Sequence, residues 1–356
     1  MTKRYPFKFL DSYGKTDTDI FFGRDPEIEA LYEMTFQSDI LLVYGASGTG
    51  KTSLINCGLA SRFQAHDWLA LSIRRGNDLN AALQQKLDEA ASGTDSEAAD
   101  LDLSWLDEDE ESTEAPSSAL SQQLQAIYRQ YFRPIYLIFD QFEELYVLGS
   151  KAEQAEFIRN VQEIQSVEHP VKMIFVIREE YLGHLFEFER SVPQLLRKKL
   201  RVEPMNLDKV GQVVRGGAQL NLSNIRLQAG QETAIIEGIF QKIKGKEQTL
   251  AIQLPYLQVF LDKLYLHITG DESRQADALF TTQALSEIGD IGDVLRNFLE
   301  EQAIRIQKTM ADRHADLPED TVWQILSPLA TLEGTKEPML ETTLIKRLPT
   351  LAPCRS

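Results

Sequence analysis

Short apolar runs divide the first half of the chain. Each run has hydrophobic residues at consecutive positions, which is typical of strands buried on both faces of a parallel sheet. Between the runs the apolar residues follow a helical period; Ile55, Leu59 and Phe63, for example, recur at intervals of four. The alternation predicts an α/β domain in which helices sandwich a parallel sheet. The predicted strands cover residues 40–44, 68–73, 135–139 and 171–177.

The pattern changes beyond about Arg201. Apolar residues there recur three and four positions apart, which predicts helices with one buried face each. The sequence therefore favours a second, helical domain after the sheet domain. The residues that carry this period are Ile235, Ile239, Phe240, Ile243, Leu257, Leu261, Leu264, Val294, Leu295, Phe298, Leu299 and Ile306.

The first apolar run leads directly into a glycine-rich loop. Residues 45–52 read Gly-Ala-Ser-Gly-Thr-Gly-Lys-Thr, the complete Walker A pattern. Its glycines let backbone N–H groups face phosphates, its lysine reaches the β- and γ-phosphates, and its threonine hydroxyl binds Mg²⁺. Because a strand precedes the loop and a helix follows it, the sequence predicts nucleoside triphosphate binding. The candidate binding residues are Gly45, Ala46, Ser47, Gly48, Thr49, Gly50, Lys51, Thr52 and Ser53.

The run at 135–139 ends in acidic residues. An acid at this end of a parallel strand lies at the same sheet edge as the glycine-rich loop, so Asp140 is a candidate for holding Mg²⁺. Either Glu143 or Glu144 is then a candidate for activating the attacking water. The alternative is that these acids only begin an acidic helix. The order of strand, acid and upstream Walker A loop favours the catalytic interpretation.

Arg178 follows the run at 171–177 and is predicted at the same edge. A cation there is suited to contact the γ-phosphate. The alternative is an exposed arginine paired with Glu179 or Glu180.

Composition and charge limit the function classes. The chain has 356 residues, 43% hydrophobic and 26% charged, which is typical of a soluble globular protein of two or three domains. No apolar run approaches the roughly 18 residues that span a bilayer, and no signal peptide is visible, so we expect no membrane partner and a cytoplasmic location. The net charge of −17 disfavours general nucleic-acid binding. Cys57 and Cys354 lack metal-ligand spacing and are expected to be reduced thiols.

Much of the negative charge lies in residues 92–118, which contain ten acids and no Lys or Arg. This composition predicts a disordered, solvated insertion. The alternative is an autoinhibitory or partner-binding segment with Trp105 as an apolar anchor. The densest basic cluster, Arg197, Lys198, Lys199 and Arg201, is interpreted as a solvated helix end, with an inter-subunit arginine finger or a nucleic-acid contact as alternatives.

Three motifs together resemble one protein class. Residues 22–28 read Phe-Gly-Arg-Asp-Pro-Glu-Ile, residues 140–145 read Asp-Gln-Phe-Glu-Glu-Leu, and residues 254–258 read Leu-Pro-Tyr-Leu-Gln. In this order around a Walker A loop, they resemble STAND proteins, which are signal-transduction ATPases of the AAA+-like P-loop group. The nearest resemblance is to the prokaryotic "novel STAND" NTPases, a group that includes antiviral sensors. It covers roughly residues 20–345.

The resemblance implies ATP and ADP as ligands and gives individual residues a role. Arg24 would lie near the base, Asp140 would serve Mg²⁺, Glu143 rather than Glu144 would activate water, and Arg178 would sense the γ-phosphate. Pro255 would pack near the adenine from a helical lid; its alternative is an ordinary proline in the first turn of a helix.

The family also implies a domain order and a mode of action. We expect a linker over 1–19, a P-loop NTPase domain over 20–203, a helical lid over 204–290 and a winged-helix domain over 291–356. ADP would hold the switch closed, exchange for ATP would permit self-assembly, and slow hydrolysis would reset it. No repeat period is found, so either the chain is a fragment or the sensor and effector functions belong to partner proteins. The alternatives are an origin-recognition or nucleic-acid-remodelling AAA+ ATPase, and a nucleotide-dependent scaffold without useful hydrolysis.

Overall fold

The chain divides into two units. A computed structural model describes residues 3–93, 119–245, 250–311, 320–329, 339 and 341–347. One unit, the sheet unit, spans Ser12–Glu203. The other, the helical unit, combines Met1–Asp11 with Pro204–Ser356.

A five-stranded parallel sheet forms the centre of the sheet unit. Its spatial order is β2-β3-β4-β1-β5, with every neighbouring pair parallel. The predicted α/β fold with a parallel sheet is therefore confirmed. The strands are β1 (Ile40–Gly45), β2 (Leu69–Ile73), β3 (Ile135–Phe139), β4 (Val171–Arg178) and β5 (Lys199–Arg201).

Helices cover both faces of the sheet because successive strand residues point to opposite sides. In β1, Ile40 and Leu42 join one apolar core, whereas Leu41 and Val43 join the other. The first core includes the helices α3, α4, α6 and α7, and the second includes α1 and the segment after the glycine-rich loop. The α-helices of this unit are α1 (Asp25–Gln37), α2 (Lys51–Ser53), α3 (Leu79–Ala91), α4 (Ala119–Tyr131), α5 (Glu144–Val147), α6 (Lys151–Gln165) and α7 (Leu185–Ser191).

The segment after the glycine-rich loop differs from the single helix that the period of four predicts. Only Lys51–Ser53 is α-helical; a π-helix follows over Leu54–Leu59 and a 3-10 turn over Ala60–Arg62. Gly58 is buried here against Ile28 of α1, and a Cβ atom at Gly58 would lie 2.7 Å from Ile28 Cγ1. The missing side chain allows α1 to pack closely on this segment.

The basic cluster requires a correction. Helix α7 ends at Ser191, and Lys199–Arg201 form the edge strand β5 beside β1 instead of a helix end. Arg201 Nε donates a hydrogen bond to Glu179 Oε2 at 3.0 Å. Part of the cluster's charge is thus matched within the sheet unit.

The helical unit consists of helices with two small sheets, which the sequence analysis did not predict because their strands have only two or three residues. Strands β6 (Met205–Asn206) and β8 (Ala251–Ile252) pair antiparallel, whereas β7 (Ile225–Leu227) and β9 (Ala278–Phe280) pair parallel. The α-helices are α8 (Leu207–Gln219), α9 (Glu232–Lys244), α10 (Leu254–Thr269), α11 (Thr282–Glu287), α12 (Ile291–Ala311), α13 (Thr321–Leu326) and α14 (Glu341–Arg347).

The N-terminal segment, which the sequence analysis treats as a linker, takes part in the core of the helical unit. Phe7 is 5% exposed and belongs to the same apolar cluster as Val210 and Val214 of α8. Tyr5 packs edge-on against Phe7, with ring centroids 5.7 Å apart. This segment is therefore a structural part of that unit.

Several predictions fall on residues that the structure does not describe. Residues 94–118 of the acidic insertion, residues 312–319 and 330–338 of the expected winged-helix domain, and Cys354 lie outside the described ranges. The winged-helix domain stays a prediction. Within the described ranges, no helix is long and apolar enough to cross a membrane.

Candidate nucleotide site

Three strand ends bring the predicted site residues together. Gly45 ends β1, Arg178 ends β4, and Asp140 directly follows β3. Strand β4 lies between β3 and β1, and Gly45 is in register with Arg178. Because parallel strands end at one edge, the glycine-rich loop, the acid and the arginine meet there.

The backbone of the glycine-rich loop depends on its glycines. Gly50 has φ of 85°, in the left-handed region, and caps α2. A Cβ atom on Gly45 would overlap the carbonyl oxygen of Val202, the residue after β5. Lys51 Nζ donates hydrogen bonds to Gly45 O at 2.9 Å and Ala46 O at 2.8 Å. Burial lowers the pKa of Lys51, and the Glu143 carboxylate opposes that shift.

Arg24 lies behind the loop. Its side chain is 1% exposed, Nη2 donates to Thr49 O at 2.7 Å, and Nη1 binds Glu27 Oε1 at 2.7 Å. The Thr49 hydroxyl donates to Ala46 O at 3.0 Å. These contacts fix the loop from its protein side. They show Arg24 as a support of the loop backbone.

Asp140 and Thr52 form an oxygen-rich pair. Thr52 Oγ1 donates to Asp140 Oδ1 at 3.1 Å and lies 3.2 Å from Oδ2. The Asp140 carboxylate is 4% exposed. Hydroxyl and carboxylate oxygens are the ligands that Mg²⁺ prefers, and it commonly takes one or two carboxylates together with substrate phosphates. The residues present therefore fit an Mg²⁺ ion.

Within the described residues, no group of three or more His, Cys, Asp or Glu could hold a metal ion. Cys57, one of the two cysteines, is buried and not in a disulfide.

A tight turn after Asp140 places Phe142 in the apolar core and Glu143 at the cavity. Gln141 has φ of 59°, uncommon for a residue with a side chain. Phe142 N donates to Val176 O at 2.8 Å, and the Phe142 ring packs on Phe175 with centroids 4.8 Å apart. The ring anchors the turn in the core, and Glu143 borders the cavity at the strand ends.

Glu143 and Arg178 form a buried ion pair in the site. Arg178 Nε lies 3.0 Å from Glu143 Oε1, with the two side chains 14% and 3% exposed. Arg178 is thus paired with Glu143 and not, as the alternative held, with Glu179 or Glu180. Burial raises the pKa of Glu143, and the Arg178 charge opposes only part of that shift. Glu144 begins α5 and is more exposed than Glu143.

Arg74, which the sequence analysis missed, binds Asp140 at this edge of the sheet. It follows β2, and its Nε and Nη2 donate to Asp140 Oδ2 at 3.0 and 2.6 Å. The signal was available: a cation directly after an apolar parallel strand lies at the same edge as Asp140 and Arg178.

One cavity of 210 Å³ connects most of these residues. Ser53, although it borders the cavity, accepts a hydrogen bond from Tyr13 N at 3.1 Å. Pro255 lies in the helical unit, in the first turn of α10, and is half-buried. The residues that line the cavity are Ser47, Gly48, Gly50, Lys51, Thr52, Ser53, Asp140, Gln141, Glu143, Val176 and Arg178.

Comparison with known protein families gives one match. The sequence profile of the family described as Novel STAND NTPase 1 matches residues 6–349. No curated protein matches the chain.

Solved structures share the fold at low sequence identity. The ORC2 protein of Aeropyrum pernix, in ADPNP-ADP complexes, has a TM-score of 0.54 and 14% identity, over 99% of this chain and 90% of that one. Its ADP form has a TM-score of 0.50 and 14% identity, over 97% and 88%. A Walker-type ATPase of Pyrococcus abyssi has a TM-score of 0.49 and 16% identity, over 97% and 93%. At such identities the likeness establishes the fold alone.

Proposed function

The chain belongs to the novel STAND NTPase 1 family, and from that premise we propose that it is a nucleotide-operated molecular switch. In this proposal it binds ATP and ADP with Mg²⁺, hydrolyses ATP slowly, and couples nucleotide exchange to self-assembly and to activation of an effector. On the family resemblance, we place that switch in prokaryotic antiviral signalling.

The observation that carries the proposal is the convergence of five polar side chains on one cavity. Lys51 supplies a cation, Thr52 and Asp140 supply oxygen ligands, and Glu143 supplies a carboxylate beside Arg178. Phosphoryl transfer requires mainly positioned charges and a group that orients the attacking water. These residues supply both.

Each side chain of the site has a separate role in hydrolysis. Lys51 binds the β- and γ-phosphate oxygens, and Glu143 accepts a proton from the attacking water. The water oxygen bonds to the γ-phosphorus while the bond to the bridging oxygen breaks, which releases ADP and phosphate. Mg²⁺, when bound through Thr52 and Asp140, neutralises phosphate charge. Arg178 stabilises charge on the γ-phosphate.

The cavity is large enough for only part of a nucleotide. At 210 Å³ the cavity is below the roughly 300–1,000 Å³ of pockets that bury a whole drug-sized ligand. It is suited to the phosphates, so we propose that Pro255 of the helical unit packs near the adenine. Arg24 contributes by holding Thr49 O, while its neighbours lie towards the base.

Removal of the Lys51 charge tests the proposal. We expect Lys51→Ala to weaken ATP binding at least about 100-fold, since charge-assisted hydrogen bonds contribute about 1.5–3 kcal/mol each. Calorimetry with ATP and ADP in the presence of Mg²⁺ measures the effect. Lys151→Ala is the control, because Lys151 is 81% exposed and pairs with Glu187. Equal ATP affinity in wild type and Lys51→Ala would refute the assignment.

A further inference from the structure

Two consecutive arginines after β2 have opposite surroundings. Arg75 is fixed: its Nε and Nη2 bind the two Glu153 carboxylate oxygens at 2.9 and 2.8 Å, and its side chain is 6% exposed. Arg74 is 57% exposed, yet its guanidinium binds Asp140, which is 4% exposed. The backbone is thus anchored at Arg75, while the Arg74 side chain is held at its tip and solvated along much of its length.

The tip of Arg74 binds one oxygen of the Asp140 carboxylate, the group that would hold a metal ion. Both Arg74 donors reach Asp140 Oδ2, and Thr52 Oγ1 lies 3.2 Å from the same atom. A buried carboxylate needs a positive partner, which Arg74 supplies. A second cation on that oxygen would repel the guanidinium, since like charges a few ångströms apart interact strongly away from bulk water. Arg74 and a divalent cation therefore compete for Asp140.

We propose that Arg74 is an exchangeable counter-ion of this site, an inference that rests on the proposed nucleotide function. Arg74 neutralises Asp140 when no metal is bound, releases it to Mg²⁺, and turns to the γ-phosphate of the incoming ATP. ADP has no γ-phosphate, so Arg74 has less negative charge to move to. The planar guanidinium fork suits phosphate oxygens. Arg74 thereby favours ATP over ADP in the presence of Mg²⁺.

The exposure of the Arg74 side chain distinguishes a counter-ion from a fixed structural support. Arg75 is such a support, since its buried pair with Glu153 joins the end of β2 to α6. The Arg74 side chain is 57% exposed, so movement of its guanidinium would not open the core. Within the part of the chain that the structure describes, its polar partner is Asp140.

Binding of Mn²⁺ to the nucleotide-free protein provides the first test. Arg74→Gln should bind Mn²⁺ about 10-fold more tightly than wild type, because the metal no longer competes with a charge-assisted hydrogen bond. Arg62→Gln is the matched control: it makes the same charge change, but Arg62 pairs with the exposed Glu29 and not with the site. Its Mn²⁺ affinity should equal that of wild type.

The ratio of ATP to ADP affinity in Mg²⁺ provides the second test. Arg74→Gln should lower this ratio about 10-fold, and Arg74→Lys, which keeps the charge but loses the fork, should fall in between. Thermal unfolding of each variant checks that the fold is intact.

The outcomes separate this inference from the proposed function. If wild type binds Mg²⁺-ATP and Arg74→Gln leaves both Mn²⁺ affinity and the ATP/ADP ratio unchanged, or weakens Mn²⁺ binding, the counter-ion role is wrong and the nucleotide function stands. If wild type binds no nucleotide, the proposed function fails. A tighter Mn²⁺ site in Arg74→Gln together with a lower ratio supports the inference.

Discussion

Glu143 is a carboxyl group whose environment suits a general base. Burial raises its pKa, so it keeps its proton to a higher pH than an ordinary glutamate. Only the deprotonated form accepts a proton from water. We therefore expect kcat/KM for ATP hydrolysis to fall as the pH drops through an apparent pKa above 4.5, the ordinary glutamate value. Glu143→Gln should keep ATP binding, reduce turnover by about 10²–10⁴-fold, and remove this acidic limb.

Glu144 offers a control one position away. Glu144→Gln removes a carboxylate from the same segment without touching the Glu143–Arg178 pair, so its acidic limb should match that of wild type. Full turnover in Glu143→Gln combined with loss in Glu144→Gln would transfer the role to Glu144.

The sequence predicted where the site residues lie better than it predicted which side chains they contact. The places of Asp140, Glu143 and Arg178 followed from strand ends, because parallel strands share a carboxyl edge. The pairing of Arg178 with Glu143, and of Arg74 with Asp140, depends on side-chain direction between strands far apart in sequence. No local pattern encodes that direction.

Helix α1 packs closely against the π-helical segment at Gly58. Gly58→Ala would place Cβ 2.7 Å from Ile28 Cγ1 and 2.9 Å from Cδ1. The added methyl should push the two elements apart and lower the free energy of unfolding by about 1–3 kcal/mol. Urea denaturation measures this change.

Two further variants make this prediction specific. Ile28→Ala removes the two nearest contacting atoms, so the double variant should lose less stability than the sum of the single variants. Gly183→Ala should have little effect, because no atom lies within 4 Å of its added Cβ. Additive losses in the double variant would contradict the steric explanation.

Element length decided what could be predicted. The strands β1 to β4 have five or more residues, most of them apolar. Strands β5 to β9 have two or three residues, too few for a periodic signal, and their pairing is set by tertiary contacts. The π-helical segment has the same apolar spacing as an α-helix start, so the sequence could not distinguish the two.

A variant of Phe7 tests whether the two units unfold separately. Phe7→Ala removes a buried ring from the core of the helical unit and should cost that unit about 3–5 kcal/mol. Hydrogen exchange should speed up for amides of α8 and α10, while those of β1 and β4 keep their protection. Phe36→Ala serves as a control, since Phe36 is 66% exposed. Equal loss of protection in both units would show that they unfold together.

The whole-molecule plan was only partly predictable. The change from strand to helix periods near residue 201 anticipated where the second half of the chain begins, and the structure divides it at Glu203 and Pro204. The aromatic residues Tyr5, Phe7 and Phe9 gave no period over so short a segment, so their place in the helical unit came only from packing across about 200 residues of sequence.

Because the segment around Phe7 packs against helices far later in the sequence, its core can form only late in synthesis. Phe7 leaves the ribosome early, but its core also contains Ile291 and Val294. At about 5–20 residues per second, roughly 15–60 seconds pass before those residues are made. The whole sheet unit is synthesised within that interval, while the aromatic segment that precedes it still lacks its partners. The aromatic segment is thus buried only after the sheet unit that follows it has been synthesised, and until then it is exposed to chaperones.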